Sequence, residues 1–350
     1  MIRKLNDVFL VAICMIATIQ TSAQLGGRYV YDFLEQSPSA RIQGLGGKAL
    51  TAFGWDGGPA LYTPSLLHNG IQTNLSISTG FYPAGISQGN AHYIHQLPKY
   101  GLSLQGAIQY MNYGSFDAAD VAGNITGSFR ASEYALILGG SKAYSDKLRF
   151  GANMKLIASY LEGYDSYGGA LDLSGSYIDT SSRVVISAVF RNIGTQFSTY
   201  AGEQEPLPFE ILVGFSKRLA HLPFRFHITM QHLERWNIRY DNPDSEDAGG
   251  LFPGTDQGPT DGQIAIDNFF RHFVFGGEFL LGKYDQVQLR FGYDHFRRGE
   301  LLIENTRGLA GFNFGFGLKV KTFRIDYGRS IYHQGGGLHH FSLSTRLGRI

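Results

Sequence analysis

From Ile71 onward, side chains alternate between apolar and polar or small in stretch after stretch. Near the end, Phe312, Phe314, Phe316, Leu318 and Val320 fall on one face, with Gly311, Asn313, Gly315, Gly317 and Lys319 on the other. After Lys321-Thr322, Phe323, Ile325 and Tyr327 resume the pattern against Arg324, Asp326 and Gly328. A period of two sends successive side chains to opposite faces of a strand. The same holds for Leu148, Phe150, Ala152, Met154 and Leu156, and for Phe224, Phe226, Ile228 and Met230, the last set backed by Arg225, His227, Thr229 and Gln231. A greasy face set against a charged one, repeated this often, predicts a sheet whose apolar side meets lipid and whose polar side lines an interior.

The alternation parses into about fourteen segments, an even number in the range of bacterial outer-membrane barrels. The first seven are Ile71–Tyr82, Ile86–Leu97, Tyr100–Tyr113, Gly127–Tyr144, Lys147–Leu161, Tyr167–Asp179 and Arg183–Ile193. The rest are Pro206–Leu219, Phe224–Arg235, Asn268–Leu281, Gln286–Arg298, Gly308–Val320, Phe323–Tyr332 and Leu338–Gly348. Their connections sort by length. Tight turns fall at Lys99, Ser145-Asp146, Thr180–Ser182, Ala220–Pro223, Lys283–Asp285 and Lys321-Thr322. Long ones, at Gly114–Thr126, Gly194–Glu205, Trp236–Asp267 and Gly299–Arg307, all fall at the opposite end, together with two short ones at Pro83–Gly85 and Gly335–Gly337. Short periplasmic turns and longer extracellular loops are the habit of such barrels. The expected fold is therefore an all-β, transmembrane outer-membrane β-barrel of about 14 antiparallel strands over residues 71–350.

Composition agrees. Only 17% of residues are charged and the net charge is +1, which gives no field to attract nucleic acid. Ahead of the strands, Arg3 and Lys4 precede an apolar run from Val8 to Ile19, and Thr21-Ser22-Ala23 offers a cleavage site before Gln24. The run is too short to span a bilayer, so residues 1–23 read as an export signal. Cys14, the one cysteine, lies within it and lacks the small neighbour an acylation site needs. Residues 24–70 do not alternate; Gly and Pro break them into short turns, as expected of an N-terminal plug inside the barrel.

Candidate chemistry is sparse. Gly44-Leu45-Gly46-Gly47-Lys48 invites a phosphate-loop reading, but the first glycine is missing and Ala49 replaces the magnesium-binding hydroxyl. Gly85-Ile86-Ser87-Gln88-Gly89 spells a serine nucleophile elbow, yet a strand follows where a helix is required. His92 and His95, and likewise His339 and His340, are split across strand faces, which defeats shared metal ligation. Asp241, Asp244, Glu246, Asp247, Asp256, Asp261 and Asp267 crowd the longest loop without EF-hand spacing, so the loop reads as a solvated, partner-facing segment, with a calcium ion held by these oxygens as the alternative expectation. Interior Arg225, Arg290, Asp294, Arg324 and Asp326 are expected to pair across the lumen and hold the plug. No catalytic, cofactor or metal site is assigned.

Ser39-Ala40-Arg41, Gly46-Gly47, Asp56 and Pro64, followed by a barrel of this strand count, resemble FadL-like outer-membrane proteins. Within that group, Gly26-Gly27-Arg28-Tyr29-Val30-Tyr31-Asp32-Phe33-Leu34 with Pro38–Arg41 resembles the PorQ family of the type IX secretion system of Bacteroidetes. Where FadL relatives carry Asn-Pro-Ala, this chain has Thr63-Pro64-Ser65. The resemblance implies a non-enzymatic outer-membrane anchor for a PorZ-like surface protein, beside the PorU sortase and the PorV barrel, that helps attach secreted cargo to lipopolysaccharide. Ser39, Ala40, Arg41, Gly46, Gly47, Asp56 and Pro64 would form the plug motif. Trp236, Tyr240, Asp241, Asp244, Phe252 and Asp256 would offer the partner its contacts. The alternative expectation is a FadL-like transporter of small hydrophobic molecules.

Overall fold

The computed structural model describes residues 29–68, 70–71, 73–239, 260–301, 308–333 and 336–347. The expected export signal with Cys14, and Gly26–Arg28, lie outside the described residues. Fourteen antiparallel strands close into a barrel, each paired with its sequence neighbours and the first with the last. They are β1 (Asn74–Phe81), β2 (Ser87–Leu97), β3 (Leu102–Ala119), β4 (Ile125–Ala143), β5 (Leu148–Leu161), β6 (Tyr164–Asp179) and β7 (Val184–Ser198). Then come β8 (Glu210–Arg218), β9 (Phe224–Met230), β10 (Phe273–Leu281), β11 (Val287–Asp294), β12 (Phe312–Val320), β13 (Phe323–His333) and β14 (Gly336–Arg346). This is a transmembrane outer-membrane barrel with an N-terminal plug. No described helix is long and apolar enough to cross a membrane.

The alternation has its expected sense. On β1 and β14, Leu75, Ile77, Phe341 and Leu343 are exposed on the wall while Ser76, Ser78, Ser342 and Ser344 are buried within. Tyr134, Tyr160 and Tyr167 meet edge to face at 6.4 and 6.1 Å on the wall, as amphipathic rings do in the girdle of a barrel.

The wall is uneven. β3 and β4 run for 18 and 19 residues, whereas β9 has 7 and β11 has 8. About 10 residues cross a bilayer, so the β3–β4 hairpin stands well clear of the membrane. The long loop expected at Gly114–Thr126 is mostly strand, closed by a turn in which Asp120 accepts the amides of Ala122 and Asn124. On the short side, helices replace expected strand and loop. α2 (Asp261–Arg271) starts at a capping box of Thr260 and Gln263, and α3 (His295–Leu301) follows β11 directly. Gln231–Arg235 also leaves the ladder, where the Glu234 carboxylate takes the Ile211 N–H at 3.0 Å in place of a strand carbonyl.

Inside lies the plug. α1 (Ala40–Gly44) is capped by Ser39, whose hydroxyl accepts the Ile42 amide at 3.3 Å, and ends where Gly46 and Gly47 take φ of 103° and 89°. It lies against glycines of the wall: a Cβ on Gly292 would meet Gly46 N at 2.2 Å, and one on Gly328 would meet the Ala40 carbonyl at 2.5 Å. Val30, Phe33, Leu34 and Leu61 bury against Ala107, Met111 and Ile157 of the wall, and Ile42, Leu45 and Leu50 against Val189 and Leu212.

Candidate functional site: the plugged lumen

Around Arg41 the plug and wall share one set of charges. Arg41 is buried and donates to Asp56 at 2.7 Å, to Glu278 through Nε and Nη2 at 3.1 and 3.0 Å, and to the Ala52 and Phe53 carbonyls. Glu278, wholly buried on β10, also accepts from Arg290 at 2.9 Å and lies 3.5 Å from Arg225. Arg290 reaches Asp326, Asp326 pairs with Arg324, and Arg324 closes the circuit back to Asp56 at 3.4 Å. Four guanidiniums thus face three carboxylates. Such a group is tolerable out of water only because nearly every charge has a partner and hydrogen bonds complete the shells.

A second set gathers around Glu210, two strands away on β8. Lys48 reaches Glu210 of β8 at 2.6 Å, and Arg191 approaches the same carboxylate at 3.5 Å while stacking over Tyr62 at 3.8 Å. Arg191 and Asn192 are adjacent yet both buried inside, because a bulge between β6 and β7 gives Asn192 a φ of 56°. Lys48, the residue of the phosphate-loop reading, is thus committed to a carboxylate.

Elsewhere the plug is stitched to the wall. The Ala40 amide donates to Ser342 at 2.8 Å, Gln43 bonds Ser330, and Ser65 bonds Ser174 and Ser176 at 2.8 and 2.7 Å. Asn90 donates to the Pro38 carbonyl at 2.7 Å and Arg191 to that of Leu34 at 2.6 Å. Pro64 opens a 3-10 turn pressed onto β5, where a Cβ on Gly151 would lie 2.5 Å from its carbonyl carbon. At one mouth Trp55 lies beneath Arg346, Lys319 and Arg324, with centroid distances of 4.5, 5.3 and 5.9 Å.

Every plug-motif residue is placed in this interior: Arg41 and Asp56 as its ion pair, Ser39 as a cap, Gly46 and Gly47 as the helix stop, and Ala40 and Pro64 as close contacts. Of the expected interior charges, Arg225 and Arg324 touch the plug and Arg290 and Asp326 support them. Asp294 does not. It lies at the outer rim, accepting from Gln231 at 3.2 Å and from the Arg297 amide at the start of α3, so no plug cation is within its reach. Glu278 and Glu210 escaped the sequence reading, and so did the role of Lys48 as an ion-pair partner. Of the six partner-facing residues, Trp236 is exposed and stacks on His272 at 4.9 Å. Tyr240, Asp241, Asp244, Phe252 and Asp256 lie outside the described residues. Ser87 begins β2, with no helix behind it. Among the described residues, no three His, Cys, Asp or Glu side chains are grouped to hold a metal.

No family model and no curated protein matches the chain. Solved structures do. The toluene transporter TodX of Pseudomonas putida aligns over 88% of this chain and 96% of its own, with 13% identity and a TM-score of 0.51. A FadL homologue of Pseudomonas aeruginosa aligns over 92% and 100%, with 8% identity and a TM-score of 0.51. A TodX monoaromatic hydrocarbon channel carrying the deltaS2 mutation covers 89% and 97% at 12% identity, with a TM-score of 0.50. At these identities the likeness is one of fold: this chain is a FadL-like barrel.

Proposed function

We propose that the protein is a non-enzymatic outer-membrane anchor whose barrel is sealed and whose extracellular rim holds a surface partner. One observation carries the reading: a plug fixed by buried ion pairs to β8, β10 and β13, and by hydrogen bonds to strands elsewhere in the wall, leaves the rim as the working surface. The resemblance to the PorQ family supplies the partner's class, a PorZ-like surface protein in an attachment complex with the PorU sortase, the PorV barrel and lipopolysaccharide. Purification from the native outer membrane in mild detergent tests this. A large surface protein recovered in equal amount, and lost when residues 240–259 are deleted from a barrel that still folds, is the expected result. A barrel recovered alone would overturn it.

A second reading is transport of small hydrophobic molecules. The structural comparisons favour it over the first, since the neighbours are named as a toluene transporter and a monoaromatic hydrocarbon channel. It requires the plug to yield, because apolar clusters, ion pairs and hydrogen bonds join it to the wall across the lumen. Uptake of labelled toluene that depends on this protein would establish it; uptake unchanged by its removal would end it.

A further inference from the structure

α2 is amphipathic in the inverted sense. Its polar residues Asp267, Asn268 and Arg271 are buried, while Ile266, Phe269 and Phe270 are 50, 42 and 39% exposed. The buried side is bolted to the rim: Asp267 accepts from Arg271 and His295 at 2.8 and 2.9 Å, Arg271 reaches Glu300 of α3 at 2.7 Å, and Asn268 binds the Trp236 carbonyl at 2.8 Å. Those bonds fix which side of the helix faces outward.

The outward side continues the lipid-facing stripe of β10. Phe275 stacks with Phe273 at 6.0 Å, Phe273 meets Phe269 at 5.0 Å, and Phe269 meets Trp236 at 6.3 Å, an unbroken file of rings from wall to helix. Height agrees. The nine residues of β10 rise about 23 Å at ~3.3 Å each and a tilt of ~40°, nearly the full ~25 Å apolar band of such a barrel. Phe273 therefore sits near the band's outer edge, and the chain turns into α2 at the level where a barrel carries its aromatic girdle.

We infer that the exposed face of α2, with Trp236, is a membrane-binding shoulder seated among the acyl chains and head groups of the outer leaflet. Where β9 to β11 are too short to project beyond the membrane, this helix replaces strand as the lipid contact. Trp236 then touches lipid instead of a protein partner. The inference rests on the membrane placement of the barrel and is independent of whether it anchors or transports.

Nitroxide labels at Ile266→Cys and Phe270→Cys, in the Cys14→Ser chain reconstituted into phosphatidylcholine vesicles, test it. Phe275→Cys serves as the lipid reference and Val121→Cys, in the β3–β4 turn, as the water reference. Collision with oxygen should exceed collision with a water-soluble nickel chelate at 266 and 270 by the same factor as at 275, and severalfold more than at 121. A ratio like that of position 121 would overturn the proposal. A watery ratio at 275 too would overturn the membrane placement itself, and the shoulder with it. If Phe270→Cys fails to fold, the more exposed position 266 decides alone.

Discussion

Glu278→Gln is the sharpest probe of how the plug is held. The change keeps shape and one acceptor oxygen but removes a negative charge whose side chain has no exposure and which three arginines share. Four guanidiniums would then face two carboxylates. Stripping one partner from a buried ionic group costs about 3–5 kcal/mol, because the remaining charges stay out of water without compensation. Arg41→Met moves the balance the other way, to three against three, at the expense of the bonds to the Ala52 and Phe53 carbonyls. Asp56 would keep Arg324, and Glu278 would keep Arg290. The double variant restores the original excess of one positive charge, so its loss should fall short of the sum of the singles by about 1–3 kcal/mol. Urea titration of the refolded barrel, followed by the fluorescence of Trp55 and Trp236 and by the gel shift between folded and boiled forms, measures all four species. Glu278→Gln within about 0.5 kcal/mol of the parent, or strict additivity in the cycle, would mean that water enters the cluster and screens it, and the sealed-plug argument would fail.

Three more outcomes follow from the same geometry. Gly292→Ala should destabilise by about 1–3 kcal/mol, since the new methyl meets plug backbone that cannot retreat, while Gly127→Ala, facing open space, should be silent in the same titration. Burial pushes the Asp267 carboxyl up, but hydrogen bonds from His295 and Arg271 outweigh it and hold the group at about 2. A depressed carboxylate stabilises above its ordinary value near 4 and loses that contribution as pH falls through about 2. The protection factors of the α2 amides, taken against the intrinsic exchange rate at each pH, should therefore be steady from pH 7 to 4 and fall below; Asp267→Asn should show low protection throughout, and a fall already at pH 6 would contradict the assignment. Ser39→Ala removes the cap of α1 and should cost about 1 kcal/mol, read as earlier protease access to the plug with the strands intact.

The wall was legible in the sequence because lipid imposes a strict period on it. Phe312 to Val320 and Phe323 to Tyr327 declare their strands, and each expected segment lies on a strand of the structure with ends shifted by a few residues. The signal disappears where lipid does. Ser115 and Asp117 of β3 project beyond the membrane, where neither face must be apolar, so that strand reads as loop. α2 was hidden for the opposite reason: its apolar residues stand outside and its charges inside, which defeats a search for a helix with a greasy inner face. Arg41 and Asp56 entered through resemblance, whereas Glu278 was readable as a lone carboxylate on the polar side of an otherwise apolar strand. Arg225 and Arg290 stand opposite it on the neighbouring strands, but its plug partner Arg41 was not readable, because strand alternation fixes a side chain's face and carries no information about what the plug sets against it.

The bonds that fix the plug also constrain the order of assembly. Ala40 bonds a residue 302 positions later, Gln43 one 287 later, and Arg41 one 237 later. Such contacts close the longest loops the chain allows and cannot reward the plug until the strands bearing them exist. The segment translated ahead of every strand is therefore among the last to reach its native form. Until β10 to β14 arrive, its arginine and aspartate have each other and water, and whatever escorts the chain to the membrane must carry an unfolded N-terminal segment alongside the strands. The plug is the barrel's own proofreader: it seats only in a wall that has closed in register.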